Sequence, residues 1–351
     1  MMTAREPIRK RPTASRASQD FTRLAEPLRR ELKVHCYRML GSVHEAEDLV
    51  QDTYLRAWRS YGSFNGSGSF RAWMYKIATN ACLNAIERRK NAQRLLPDQL
   101  RPAATQMPPG TPVTDVAWLE PLPDSELSGI PDEAPTPEAR YTSRESVQLA
   151  FIATIQELPP RQRAALLLCD VLGWAAAEAA TLLSSSTASI NSALQRARDS
   201  LAKRYPEGRL PATTRPDPAQ QQLIGRYLKA WEGHDLDAFV ALLKEDAAAV
   251  MPPWLEWYVG REMIRSFFAM AWKSCGGLHL VPTAANGQPA FAVYEASSAD
   301  GQWHAHSIHV ITVNTGGIST LTLFIEPRLF AAFGLPLILS PGQGPATLHH
   351  P

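Results

Sequence analysis

The chain has 351 residues, of which 45% are hydrophobic and 20% are charged, and its formal net charge is +2. This composition excludes a disordered or collagen-like chain and predicts two or three domains that each bury a core. No apolar run is long enough for a membrane span or a secretory signal, so we expect no membrane association and a cytoplasmic location. The four cysteines are widely spaced, without a zinc-type pattern, so we also expect no metal and no cofactor.

Charge is unevenly distributed along the chain. Residues 71–94 contain six basic side chains and one acid, whereas residues 98–138 contain eight acids and one base. A nearly neutral total therefore hides a basic block followed by an acidic block, and a basic block is the usual electrostatic signature of nucleic-acid binding.

The first structured part is an all-helical unit. Residues 1–18 lack hydrophobic periodicity and read as a flexible basic tail, so structure should begin near Phe21. Apolar residues then recur at helical spacing through residues 19–94, which we call the first helical unit. Ser42 and Glu45 form a capping-box pattern at the start of one of its helices.

Two polar helix faces of the first helical unit are candidate interfaces. The helix after Ser42 presents an acidic, amphipathic stripe that could contact another protein, although a solvated face is the commoner meaning of such a stripe. Its members are Asp48, Leu49, Gln51, Asp52 and Leu55. A helix from about Ser69 to Lys90 presents side chains that pair with bases or neutralise phosphates, close to aromatic and polar residues that could hold unpaired bases. These candidates are Phe64, Asn65, Lys76, Asn80, Asn84, Arg88 and Arg89.

The next segment, residues 95–140, is acidic and rich in proline. Ten of the residues between Pro97 and Pro137 are proline. This composition predicts a tether that packs no core and continues no helix, and we call it the connecting segment. A tether of this length lets two flanking units reach DNA elements about two helical turns apart. We therefore expect its deletion to abolish binding to two such separated DNA elements.

Residues 141–206, the second helical unit, have the layout of a helix-turn-helix. Ser186 is a suitable N-cap for the last helix, where Ile190, Leu194, Ala197 and Leu201 recur as a buried stripe. The outward side chains suit the major groove of duplex DNA. They are Ser186, Thr187, Ser189, Asn191, Ser192, Gln195, Arg196 and Arg198.

Residues 217–332 change to helices followed by alternating strands, with Gly316-Gly317 as a hairpin turn, which predicts an α+β domain. We call it the C-terminal domain. Residues 333–351 read as a loose tail. Potential catalytic groups occur in this domain, but no spacing among them demands chemistry, and we expect no catalytic residue and no metal pair at His304 and His306. These groups are Asp246, Glu256, Tyr258, His304, His306 and Glu326.

The strings DLVQDTYLRAW (48–58) and FRAWMYKIATNACLNAIERRK (70–90) closely resemble conserved region 2 of sigma-70-family extracytoplasmic-function (ECF) sigma factors. The resemblance implies that the first stripe binds the polymerase β′ clamp and that the second set captures single-stranded −10 DNA. LPPRQRAALLLCDVLGW (158–174) and the helix after it resemble sigma region 4, which implies recognition of the −35 duplex and contact with the β flap. The family usually has glycine where Ser184 stands, which puts the shape of the turn in question.

Residues from about Gln220 to Phe330 resemble the SnoaL-like fold, a curved sheet wrapped by helices around a conical pocket, as found in a subgroup of ECF sigma factors. The expected fold is therefore multidomain, with two all-α units followed by a cone-shaped α+β domain. The expected function is promoter recognition and melting with core RNA polymerase, modulated by the C-terminal domain or by a small molecule bound there. The competing hypothesis is a SnoaL-like isomerase or hydrolase fused to a DNA-binding module.

Overall fold

The computed structural model describes residues 14–64, 69–89, 93–107, 109–128, 146–204, 218–314 and 316–340. The first helical unit consists of helices that pack around a shared core. They are α1 (Ala14–Ala25), α2 (Arg29–Leu40), α3 (Val43–Ser60) and α4 (Phe70–Arg88). Because α1 already begins at Ala14, the prediction that structure starts near Phe21 after an 18-residue tail is wrong for residues 14–18, while residues 1–13 lie outside the description.

The connecting segment packs against the rest of the protein, contrary to the prediction of a loose tether. It contains a short helix, α5 (Pro97–Leu100), and the side chains of Leu119 and Leu122 are fully buried. These leucines belong to the same core as the helical units, so the expectation that the segment packs no core is wrong for residues 95–107 and 109–128. Residues 129–140 lie outside the description.

The second helical unit contains α6 (Leu149–Gln156), α7 (Pro160–Leu166), α8 (Ala176–Leu182) and α9 (Thr187–Arg204). The turn between α8 and α9 passes through Ser184, whose φ is +49°. A left-handed backbone of this kind costs a non-glycine residue free energy, which explains why glycine suits the position. The Ser186 side chain accepts a hydrogen bond from the backbone N–H of Ser189 at 3.2 Å, which confirms it as the cap of α9.

The C-terminal domain is a mixed sheet covered by helices. Its helices are α10 (Pro218–Glu232), α11 (Leu236–Val240), α12 (Arg261–Ala271) and α13 (Leu329–Ala332). Its strands are β1 (Leu243–Val250), β2 (Trp257–Val259), β3 (Leu278–Ala285), β4 (Gln288–Ala296), β5 (Trp303–Asn314), β6 (Gly317–Phe324) and β7 (Ile338–Leu339). The strand order is β2-β1-β6-β5-β4-β3, with β7 paired to β5.

The pairing of β1 with β6 is parallel and the other pairings are antiparallel. The β5–β6 hairpin turns at Gly316-Gly317, as the sequence predicts. Because Leu339 pairs with Trp303 and is buried, the prediction of a loose tail is wrong for residues 333–340.

The two faces of this sheet are buried by different partners. One face, with Phe291, Val293 and Leu323, packs against the aromatic side chains of α10, α11 and α12. The other face, with Ala292, Tyr294 and Val310, belongs to the core cluster that also contains both helical units. The C-terminal domain is therefore joined to the helical units through its sheet. Among the described residues, none of the helices combines the length and apolar character needed to span a membrane.

Candidate nucleic-acid interface

Helix α3 presents the predicted acidic stripe on its outer surface. Its inner face buries Ala46, Val50, Thr53 and Ala57. Asp48 and Gln51 are exposed, Leu49 and Asp52 are half-buried, and Leu55 is 56% exposed. An exposed leucine and the 42% exposed Trp58, set among carboxylates, form a mixed apolar and acidic surface that suits a protein partner.

Helix α4 carries the predicted polar stripe at the spacing expected. Lys76, Asn84 and Arg88 are exposed and Asn80 is half-buried, while Met74, Ala78 and Ala81 lie in the core. The stripe is therefore available along most of the helix. It suits a nucleic-acid strand because ammonium and guanidinium groups neutralise phosphates and asparagine amides pair with base edges.

An aromatic cluster lies at the N-terminal end of α4. The Phe64 ring is 5.6 Å from the Phe70 ring and 5.1 Å from the Trp73 ring, measured between centroids. Phe64 is half-buried, so part of its ring remains accessible for stacking. Asn65, the other candidate near this point, lies outside the described residues.

Arg89, by contrast, is tied into the interior of the protein. Its guanidinium forms an ion pair with Glu45, and its side chain is only 16% exposed. Burial and the nearby Arg94 charge lower its pKa to about 10. The Glu45 carboxylate also accepts a hydrogen bond from Arg94 at 2.8 Å, so Ser42 caps α3 without the reciprocal half of the capping box. In this conformation Arg89 therefore stabilises the fold instead of facing a DNA strand.

Glu120 of the connecting segment extends this ion-pair cluster, and the sequence reasoning missed it. Its carboxylate accepts hydrogen bonds from Ser42 Oγ at 2.8 Å and from His44 Nδ1 at 3.0 Å, and it lies 3.8 Å from Arg94 and 3.6 Å from Arg328. Burial alone would raise the pKa of Glu120, but the hydrogen bonds and positive charges outweigh it and the pKa is lowered. One carboxylate thus joins the first helical unit, the connecting segment and the C-terminal domain.

Helix α9 leaves its predicted DNA-reading face open to solvent. The stripe of Ile190, Leu194, Ala197 and Leu201 is buried, as predicted. All eight candidate side chains on the outer face are exposed. Besides the cap Ser186, Arg198 forms a bidentate pair with Asp170 at 2.7 and 3.0 Å, and Gln195 donates to Asp199 at 2.9 Å.

Three of the candidate catalytic groups of the C-terminal domain are paired with neighbours outside the candidate set. Asp246 is exposed 3.8 Å from Lys244, His304 pairs with Asp300 at 2.8 Å, and the His306 ring bonds to Ser307 at 3.0 Å. Within the described residues no group of three potential ligands could hold a metal.

Aromatic side chains pack against the helix-covered face of the sheet. Tyr227 and Phe291 stack at 5.1 Å, and the Tyr227 hydroxyl and His309 Nδ1 are hydrogen-bonded at 3.0 Å. Burial lowers the pKa of His309 far below its usual value, so its ring is neutral. The sequence analysis did not single out this pair. His309 is a buried core histidine with a hydrogen-bond partner.

Three family models match the chain. Sigma-70 region 2 matches residues 24–92, sigma-70 region 4 matches residues 148–201, and the SnoaL-like domain matches residues 224–320. These matches coincide with the first helical unit, the second helical unit and the C-terminal domain. They define a sigma-70-type protein with an appended SnoaL-like domain.

Comparison with individual known proteins identifies the family within this class. The chain is 42% identical over 330 residues to the ECF RNA polymerase sigma factor SigG of Mycobacterium tuberculosis H37Rv, which covers 93% of this chain and 86% of SigG. It is 31% identical over 223 residues to the ECF RNA polymerase sigma factor SigJ of the same strain, covering 63% of this chain and 61% of SigJ. The crystal structure of M. tuberculosis SigJ has the same fold, with a TM-score of 0.55 over 91% of this chain and 99% of SigJ at 23% identity. The chain belongs to the ECF RNA polymerase sigma factors.

Proposed function

We propose that this protein binds core RNA polymerase and directs it to promoters, with a distinct surface for each step. The face of α9 reads the −35 duplex, the stripe of α4 and Phe64 holds the unpaired −10 strand, and the outer face of α3 binds the polymerase. Membership of the ECF sigma factors supports the overall role and, with it, action in the cytoplasm, where core polymerase works.

The observation that carries the proposal is the open face of α9. Its side chains from Thr187 to Arg198 are exposed above a buried stripe, and the helix begins at a capped N-terminus that can enter the major groove. Asn191 and Arg196 lie on this face and, within the part of the chain that the structure describes, have no acid partners like those of Gln195 and Arg198. These two side chains are therefore the best candidates for contact with bases and phosphates.

Run-off transcription with purified core polymerase on genomic promoter fragments tests the proposal. We expect promoter-specific transcripts only when the protein is added. Asn191→Ala and Arg196→Ala should each reduce them about tenfold, the usual cost of one lost specific contact. Lys203→Ala is the matched control, because it removes a charge from the same helix about two turns further from the cap. Absence of core binding, or equal loss in all three variants, would contradict the proposal.

We further infer that the C-terminal domain modulates sigma activity and does not catalyse a reaction. The engagement of Asp246, His304 and His306 with separate neighbours and the aromatic packing on the helix-covered sheet face favour this interpretation over the isomerase alternative. The sheet face packed against the helical units gives such modulation a physical route.

A further inference from the structure

Asn286, the first residue of the turn between β3 and β4, is buried, although hairpin tips usually point into solvent. Asn286 and Gly287 have φ values of +57° and +69°, which are typical of a two-residue hairpin turn. The Asn286 side chain is 0% exposed. A buried polar side chain at a tip must find partners in whatever covers it.

The partners of Asn286 come from three other parts of the chain. Its backbone N–H donates to Leu122 O at 2.8 Å, and its Oδ1 accepts from Leu122 N at 2.9 Å, both in the connecting segment. Its Nδ2 donates to the Tyr37 hydroxyl of α2 at 2.8 Å and to Val147 O, just before α6, at 2.7 Å. One amide therefore bridges the first helical unit, the connecting segment and the second helical unit.

The residues beside Asn286 repeat this pattern. Gly287 N donates to Asp124 Oδ1 at 2.8 Å, and Gln288 Oε1 accepts from Leu149 N, the first residue of α6, at 3.0 Å. Pro123 also forms a bridge with Ala285 at the free edge of the sheet. We call residues 285–288 the hairpin tip. Its hydrogen bonds reach the connecting segment and also the two helical units that precede and follow that segment in the chain.

The two helical units that meet at this tip are also in direct contact. Gln156 Nε2 donates to Arg38 O at 3.0 Å, and Arg163 donates to Met39 O, so side chains of the second unit satisfy the last carbonyls of α2. The Tyr75 and Trp174 rings lie 5.4 Å apart. The guanidinium of Arg163 is buried among neutral oxygens. Because burying this charge costs desolvation free energy, the two helical units can separate at this contact at a lower net cost.

We propose that the hairpin tip is an intramolecular lock, which holds the two helical units in a closed arrangement that must open before both can occupy a promoter. The consequence for promoters depends on the function proposed above. Two units of this size in contact have centres about 30 Å apart. DNA elements about two helical turns apart are separated by about 70 Å. The closed protein therefore cannot read both elements at once.

Asn286→Gly is a specific test, because glycine adopts a φ of +57° freely and removes only the side chain. His234→Gly is the matched control, since His234 has a φ of +51° in the same domain and is not part of the hairpin tip. Hydrogen exchange of the full chain is measured in peptides covering residues 119–124 and 147–150. We expect exchange in both segments to rise about tenfold or more in Asn286→Gly, the factor for one lost buried hydrogen bond.

A rise confined to residues 284–289, or an equal rise in His234→Gly, would overturn the lock. If Asn286→Gly fails to fold by circular dichroism, Asn286→Asp replaces it, because it keeps the acceptor for Leu122 N and loses both Nδ2 donations. For Asn286→Asp, the same two hydrogen-exchange outcomes would overturn the lock.

Run-off transcription at limiting core polymerase tests the consequence. We expect Asn286→Gly to give several-fold more promoter-specific transcript than wild type and His234→Gly to match wild type. Opening in hydrogen exchange with no gain in transcript would overturn the regulatory role. No transcript from any form, together with observed opening, would instead contradict the proposed sigma function and leave the lock in place.

Discussion

Two buried charges lie where parts of this molecule meet, and their surroundings are opposite. Glu120 fastens the connecting segment to the first helical unit, and it is surrounded by Ser42, His44, Arg94 and Arg328. Arg163 lies between the two helical units, and among the described residues it pairs with no carboxylate. Its pKa is lowered to about 9, chiefly by burial.

We call the contacts around Glu120 and around Arg163 the two joints. The difference between them indicates which joint separates more easily. A buried carboxylate with several cationic and hydroxyl partners recovers its desolvation cost, whereas a buried guanidinium with only neutral acceptors recovers less. The connecting segment should therefore stay attached to the first helical unit while the second unit separates. Such a hinge suits a protein whose two DNA-reading surfaces must move apart.

The largest expected effect comes from Glu120→Gln, which removes the charge at nearly constant shape. At pH 7 we expect the free energy of unfolding to fall by about 3 kcal/mol, since Ser42 and His44 lose a charged acceptor and Arg94 loses one of its two carboxylate partners, the other being Glu45. The folded pKa of Glu120 lies below its unfolded value, so its stabilisation is present above the unfolded pKa and is lost as pH falls through the folded pKa. The two proteins should therefore converge in acid.

Urea denaturation between pH 3 and pH 7 measures this difference. Glu87→Gln, at an exposed position of α4, is the control and should match wild type throughout. A constant difference between wild type and Glu120→Gln across the pH range would show that shape and not charge fastens this joint.

Arg163→Met should have a smaller effect of about 1–2 kcal/mol. Methionine replaces the apolar stem and removes the cost of burying a cation, but it leaves the carbonyl groups of Met39 and Gln156 without their donor. Urea denaturation measures the change, and Arg161→Met at an exposed position of α7 is the control. A loss larger than that of Glu120→Gln would reverse the ranking of the two joints.

Periodicity was sufficient to place α3, α4 and α9, because their buried stripes are local. Ile190 and Leu194 recur at helical spacing, and Gly316-Gly317 marks the hairpin between β5 and β6. The outward face of α9 follows from the same stripe. Its exposure in the structure agrees with the sequence prediction, whereas its contacts with DNA remain a prediction.

Neither joint could be predicted in this way, because each depends on residues far apart in the chain. Met39 and Arg163 are 124 positions apart, and Tyr37 and Glu120 are 83 apart. Leu119 and Leu122 stand among prolines and acids without periodicity, so their burial has no local signal. The ion pair of Arg89 was not predicted for the same reason, since its partner Glu45 lies on another helix.

Ser184→Gly should have the smallest effect, and it measures a stability change confined to one helical unit. Ser184 has a φ of +49° and is exposed, so glycine relieves the left-handed strain without removing a packed side chain. We expect about 1 kcal/mol of added stability in urea, partly offset by the greater freedom of glycine in the unfolded chain. Hydrogen exchange at residues 119–124 should not change, because Ser184 lies in the α8–α9 turn of the second unit, away from the connecting segment. Faster exchange there would mean that the turn and the joints are coupled, and the closed arrangement would then depend on the shape of the helix-turn-helix itself.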